Sequence, residues 1–367
     1  MPVGLIFMKW NEITGNEILT KYPEEVEITE RNLMQIFDTH DFSGVKGLIS
    51  LMVGTLNIVS WYSGPEPPNY CITLLLDIDD DPDDYQDALA EVSQIILQNL
   101  EDGVYLDIMP SLYQKLVQYP SLSSEQKLAI TYNNEIKRSI LIRLREEGVI
   151  LKTDLTDWLQ ERFLKGFGDL DTILFELVQK GIIEIISVKN ERSLVIYFIN
   201  DINMFLVPPY NLLKSSSESK LPKEVHKMYQ LDSENFFNNY VISETDNLKI
   251  SEHLINPQFY KTLKLLRQGA LSKNNLLALK GTYIDNLDYV ISLFKDLKMI
   301  KTYTDSEGNE YNALISHFFI DLCLPQYILK TIKTAHDNNL KSNEVLLKYL
   351  DLLENVSNGL IKKKKSK

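Results

Sequence analysis

The chain has 367 residues, 44% of them hydrophobic, which is enough for two or three domains with packed cores. No apolar run reaches the roughly 18 residues of a membrane-spanning helix, the N-terminus lacks a secretory signal pattern, and two distant cysteines form neither a disulfide framework nor a zinc cluster. We therefore expect a cytoplasmic protein. Of the net charge of −13, residues 1–120 carry −15, from 20 Asp and Glu against 5 Lys and Arg, so this acidic part should repel nucleic acid and anionic lipid.

The first third of the chain predicts five strands and three helices. Apolar runs bounded by Asn, Gly and Pro indicate the strands, and apolar residues at helical spacing indicate the helices. Thr29 is a suitable N-cap for the first helix. In chain order the predicted elements are strands at 3–8 and 17–22, a helix at 29–37, strands at 48–53, 56–62 and 70–76, and helices at 82–100 and 106–117.

Seven aspartates follow the fifth predicted strand and suggest either a cation site or a helix cap. The spacing of Asp77, Asp79 and Asp81 matches the start of an EF-hand loop, but Pro82 stands where that loop needs glycine and Ala88 where it needs glutamate. As a cap, Asp81 precedes a proline at the first helical position, where further carboxylates favour the positive end of the helix dipole. We expect the cap, no metal site and no bound cofactor.

The remaining two thirds of the chain contain one pattern twice. Residues 131–200 and residues 257–320 each predict three helices followed by a two-stranded hairpin. Residues 201–256 lie between them, and their consecutive prolines and serines indicate an irregular linker. Residues 326–367 predict a helical tail that ends in the basic segment Lys362 to Lys365.

The order of these elements resembles known domain families. Residues 1–120 follow the strand-strand-helix-strand-strand-strand-helix-helix order of the longin (SNARE-like) domain, and each repeated pattern resembles a winged helix. The combination resembles the nitrogen permease regulator-like subunits of complexes that control Rag GTPases. Tandem winged helices also resemble subunits of ESCRT-II, although those lack a longin domain.

The resemblance implies an α+β protein: a longin-like five-stranded sheet with helices on both faces, two winged-helix domains and a helical tail. It implies a non-enzymatic scaffold or regulator of a small GTPase or a membrane-traffic assembly. The partner would be a small GTPase or a second longin or roadblock subunit. No residue-level motif accompanies the resemblance, so it transfers no catalytic residue to this chain.

A DNA-binding transcription regulator is the alternative function, because winged helices often read DNA. A DNA-reading third helix presents Arg, Lys, Asn or Gln to bases and phosphates. Here the first predicted third helix carries Asp169, Asp171 and Glu176 against Lys180, and the second carries three aspartates against two lysines. Phosphate contacts supply much of DNA affinity, and acidic third helices oppose such contacts. We therefore expect these modules to contact protein.

Catalytic signatures are absent from the sequence. It contains no Gly-x-x-x-x-Gly-Lys-Ser/Thr loop, no Gly-x-Ser-x-Gly elbow, no His-Glu-x-x-His helix and no Cys-x-x-Cys pair. The five histidines are scattered without a repeated partner spacing. We therefore expect a protein without enzymatic activity.

The predicted docking surface lies at the start of the first helix. In this helix, Leu33, Ile36 and Phe37 share one apolar face, which should pack on the sheet. The polar residues of the helix are then left for solvent or a partner. The acidic excess favours a basic partner, while the lysine tail offers at most a peripheral membrane contact. The candidate partner-binding residues are Glu24, Glu25, Glu27 and Glu30.

Overall fold

The computed structural model of the chain forms two compact units. It describes residues 1–11, 13–44, 46–65, 67–100, 103–163, 169–272, 274–275 and 287–365, with side chains as far as residue 358. Unit 1 comprises Met1–Leu122, Leu151–Ile185 and Arg192–Leu194. Unit 2 comprises Ser123–Ile150, Ile186–Glu191 and Val195–Lys367.

Unit 1 is built on a five-stranded antiparallel sheet, as predicted. Its strands are β1 (Gly4–Asn11), β2 (Gly15–Tyr22), β3 (Gly47–Val53), β4 (Leu56–Tyr62) and β5 (Asn69–Leu76), in the spatial order β2-β1-β5-β4-β3. Three helices in the same part of the chain are α1 (Glu30–Ser43), α2 (Gln86–Gln98) and α3 (Tyr105–Gln118). All eight predicted elements are therefore confirmed, and α1 continues six residues beyond its predicted end.

Helices cover both faces of this sheet. The predicted apolar stripe of α1 is buried against one face, in a cluster with Ile6, Met8 and Ile58. Because side chains alternate along a strand, Phe7 points to the other face, where its ring lies 5.4 Å from that of Tyr105 at the start of α3. The sheet core is thus closed on both sides.

The predicted caps are present. The Thr29 side chain accepts a hydrogen bond from the backbone N–H of Asn32 at 3.3 Å and starts α1. The Asp81 carboxylate accepts the backbone N–H of Asp83 at 3.0 Å, and Pro82 opens the single helical turn that precedes α2. The capping interpretation of the aspartate run is confirmed, and within the described ranges no three His, Cys, Asp or Glu side chains are grouped to hold a metal ion.

The rest of the chain is mainly helical. From residue 123 to residue 207 it forms α4 (Ser124–Asn133), α5 (Glu135–Glu147), β6 (Val149–Leu151), α6 (Lys152–Arg162), α7 (Leu170–Gln179), β7 (Ile183–Ile186), β8 (Val195–Phe198) and β9 (Asp201–Val207). It continues as α8 (Tyr210–Leu213), α9 (Ser216–Ser219), α10 (Lys223–Asn238), α11 (Glu244–Leu254), α12 (Pro257–Leu266) and β10 (Leu271–Ser272). It ends as α13 (Leu287–Asp296), β11 (Ile300–Thr304), β12 (Glu310–Leu314), β13 (His317–Cys323), α14 (Ile328–Asp337) and α15 (Asn343–Lys365).

The prediction of an irregular linker at 201–256 is wrong. This segment contains one strand and four helices, and β9 pairs along its whole length with β13, which follows more than 100 residues later. The buried Asn247 of α11 donates its amide to the carbonyl of Met204 at 2.7 Å. The prolines and serines mark the ends of these short elements instead of a connection without structure, because they interrupt helices without preventing the next one.

The second repeated pattern is present in part. Of the three helices predicted within residues 257–320, the first is α12 and the third is α13, and the predicted hairpin is β11 and β12 in a sheet of order β10-β12-β11. The second helix is predicted at 272–279, of which residues 273 and 276–279 lie outside the described residues. The tail is helical, as predicted, and no described helix is both long enough and apolar enough to cross a membrane.

Candidate interaction site at a sheet edge

The sheet of unit 1 has two edge strands with different chemistry. The edge strand β2 carries Glu17 and Lys21, and its pairing with β1 shifts register between Phe7 and Met8, as at a β-bulge. Charges and bulges are the features that keep an edge from pairing with another chain. The opposite edge, β3, has neither, because it reads Gly-Leu-Ile-Ser-Leu-Met-Val and pairs with β4 in unbroken register.

One long side of β3 therefore has backbone groups without a strand partner among the described residues of unit 1. Ser50 and Met52 are exposed, and 58% of the Met52 surface is accessible. An uncharged edge with exposed apolar side chains is a template for an additional strand. Of the two edges of the sheet, β3 is therefore better suited than β2 to bind an extended segment of another protein.

A cleft of about 440 Å³ opens beside this edge, on the sheet face opposite α1. The first three residues of β3 line it together with Trp61 of β4. Its other wall is the N-terminal half of α7, where Phe175 is 37% exposed. The cleft thus joins an open strand edge to a partly exposed aromatic ring.

Polar contacts hold the wall of the cleft in place. Asp169 caps α7 by accepting the backbone N–H of Thr172 at 3.0 Å and its hydroxyl at 2.5 Å. The same hydroxyl accepts the indole N–H of the fully buried Trp61 at 3.3 Å. Lys46 lies 3.1 Å from the Asp169 carboxylate, and its ammonium is 5.6 Å from the centre of the Trp61 ring. Strand β4 and α7 are therefore fixed to each other through one hydroxyl group.

A second ion pair anchors the far end of α7. The ammonium of Lys180, directly after the helix, pairs with the carboxylate of Asp87 in α2. The Tyr119 hydroxyl donates to the same carboxylate at 3.4 Å. Because both ends of α7 are tied to the sheet and its helices, the cleft is preformed.

The histidine on the other face is buried and unsuited to catalysis. His40 of α1 contacts the Ser60 hydroxyl at 3.0 Å, which in turn lies 2.8 Å from the Thr73 hydroxyl, and all three side chains have no accessible surface. Burial lowers the pKa of His40 from its ordinary 6.5 to about 3. This chain of contacts fastens α1 to the centre of the sheet.

The four predicted partner-binding glutamates lie at the other end of α1. All four are exposed, and they occupy the connection from β2 and the first residue of α1. Since α1 has 14 residues and rises about 1.5 Å per residue, its two ends are roughly 20 Å apart. The glutamates therefore lie at the N-terminal end of α1, whereas β3 follows the C-terminal end of the helix.

An exposed aromatic residue at the end of α1 is not among the sequence-based candidates. Phe42, near the end of α1 and just before β3, has 96% of its surface accessible. It lies with Arg31, Met34 and Asp38 on the outer face of the helix, in a shallow, open depression. The helical spacing of the sequence indicates this exposure, because Phe42 falls outside the buried stripe of α1 that ends at His40.

No protein-family model and no curated protein matches this chain.

Proposed function

We propose that the chain is a non-enzymatic scaffold or regulator of a small GTPase or a membrane-traffic assembly. The observation that carries the proposal is the β3 edge. This strand has no charged side chain and no β-bulge, and a preformed cleft lies beside it. Its partner is a small GTPase or a second longin or roadblock subunit. Strand addition supplies the affinity through backbone hydrogen bonds, and side-chain contacts supply the specificity.

The proposal also includes an assignment of the chain to domain classes. We assign residues 1–120 to the longin class because their eight elements follow that order. We assign residues 131–200 and 257–320 to the winged-helix class. The first segment supports this through the succession α5, β6, α6, α7, β7, β8, and the second through α12, β10, α13, β11, β12.

A single edge substitution tests the proposal. Met52→Lys places a charge on the exposed side of β3 and should block strand addition without disturbing the core. Ile18→Lys is the matched control, because Ile18 is a partly exposed residue of the guarded edge strand β2. Purified small GTPases and longin or roadblock proteins from the native source, the former in both nucleotide states, are passed over the immobilised full chain.

We expect at least one of these proteins to bind the wild-type chain and the Ile18→Lys variant equally. The Met52→Lys variant should bind it roughly tenfold more weakly or worse, since several backbone hydrogen bonds depend on the approach of the added strand. The proposal fails if none of these proteins binds, or if the Met52→Lys variant binds as well as the wild type.

A further inference from the structure

The cleft beside β3 continues a row of side chains that crosses the sheet. Phe7 of β1 pairs with Ile72 of β5, Ile72 with Trp61 of β4, and Trp61 with Leu48 of β3. Directly opposed residues project to the same face. A strand added to β3 would lie about 4.8 Å further out, and its residue opposite Leu48 would extend this row. That position is where the cleft opens.

The lining of the cleft determines which side chain fits that position. Leu48 and Phe175 present accessible apolar surface, the fully buried Trp61 also lines the cleft, and the cleft extends along β3 as far as Ile49. Its rim at the start of α7 is polar: the Asp169 carboxylate pairs with Lys46, which also lines the cleft, and the Asp171 carboxylate pairs with Lys152. A bulky aliphatic or aromatic side chain would cover the apolar wall and leave the rim to residues on either side of it.

The charge of unit 1 determines which kind of protein can approach. Unit 1 contains 27 Asp and Glu against 10 Lys and Arg, a net charge of −17, whereas the whole chain carries −13. A second copy of the chain would bring the same charge to the same edge and be repelled. A basic segment would be attracted, and its association would be faster at low ionic strength.

We infer that the cleft is the side-chain pocket for a strand added to β3, and that this strand belongs to a basic partner protein. The strand carries a bulky apolar residue opposite Leu48, with Lys or Arg at neighbouring positions on the same face. This inference rests on the proposed function, because it assumes that β3 accepts a strand. It adds which residue types the partner's strand carries.

A displayed library of nine-residue peptides, randomised at alternate positions and threonine elsewhere, tests the inference on the full chain. The selected peptides should share a bulky apolar residue flanked by Lys or Arg at the randomised positions. On binding, a synthetic copy of a selected peptide should slow amide hydrogen exchange along β3. Replacing its apolar residue with Asp should weaken binding roughly tenfold or more, the equivalent of losing one buried side chain.

Two matched variants separate the pocket from the edge. Phe175→Asp places a charge in the cleft, and Phe42→Asp makes the same change on the outer face of α1. The selected peptide should bind the Phe42→Asp variant as it binds the wild type and the Phe175→Asp variant roughly tenfold more weakly. The substitution in the peptide gives the same information with the protein unchanged, so a folding defect of the variant cannot decide the result.

The contrary outcomes are distinct. If Met52→Lys abolishes binding while Phe175→Asp leaves it unchanged, the pocket is overturned and strand addition stands. If acidic peptides are selected, or the chain dimerises through β3 in sedimentation, the basic partner is overturned. If no peptide is selected, or binding survives Met52→Lys, both the inference and the strand-addition basis of the proposed function fall.

Discussion

Acid should destabilise unit 1 through a single histidine. His40 is the only histidine in unit 1, and its imidazole is fully buried beside Ser60 and Thr73. Burial lowers its pKa in the folded protein to about 3, whereas the unfolded chain has the ordinary value near 6.5. Between these two values the unfolded state binds one more proton than the folded state. Stability must therefore fall as the pH drops below 6.5.

The size of the effect follows from that pKa difference. One extra proton in the unfolded state changes the free energy of unfolding by about 1.4 kcal/mol per pH unit. Lowering the pH from 7.5 to 5 should therefore remove about 2 kcal/mol from unit 1, most of it below pH 6.5. This is a large share of the roughly 5–15 kcal/mol that stabilises a typical domain.

Tryptophan fluorescence measures this quantity selectively. All three tryptophans, Trp10, Trp61 and Trp158, belong to unit 1, so their emission during urea unfolding reports unit 1 alone. The wild-type chain should lose stability across the pH range, and the His40→Gln variant should show a flat dependence above pH 5. His336→Gln makes the same change at an exposed position of unit 2 and should leave the wild-type slope unaltered.

Two results would refute this reasoning. One is a wild-type chain whose unit 1 is equally stable at pH 7.5 and pH 5. The other is a His40→Gln variant whose stability depends on pH as that of the wild type does. The extra proton bound by the unfolded state would then belong to a group other than His40.

Three further predictions concern other parts of the molecule. Reversing the four exposed glutamates before and at the start of α1 to Lys should leave the circular dichroism spectrum intact and slow association with a basic partner, an effect that added salt should reduce; an unchanged on-rate would show that this surface is idle. The chain should bind duplex DNA with no better than about micromolar affinity at physiological salt in a mobility-shift assay, and a sequence-selective shift would favour the transcription-regulator alternative. Gly148→Ala should cost about 1–2 kcal/mol in thermal unfolding, because the glycine has a φ of +73° and an added Cβ would lie 3.1 Å from the ring of Tyr349; an unchanged melting temperature would contradict this.

The sequence by itself determined the elements of the N-terminal sheet and their caps. Strand alternation, helical spacing and capping by Thr29 or Asp81 are relations between residues at most a few positions apart. The same local rules identified the buried face of α1. They also identified most of the later helices, because amphipathic spacing does not depend on which surface the helix will meet.

Only the tertiary structure decided which elements belong together. The packing of α7 against β4 depends on the hydrogen bond between Trp61 and Thr172, and its distal end on the pair between Lys180 and Asp87, contacts between residues about 100 positions apart. The strand β9 became recognisable only through its pairing with β13. Such contacts depend on the complementarity of surfaces that are distant in sequence. Local periodicity carries no information about that complementarity. The cleft beside β3, whose two walls come from β3–β4 and α7, was therefore beyond the reach of the sequence alone.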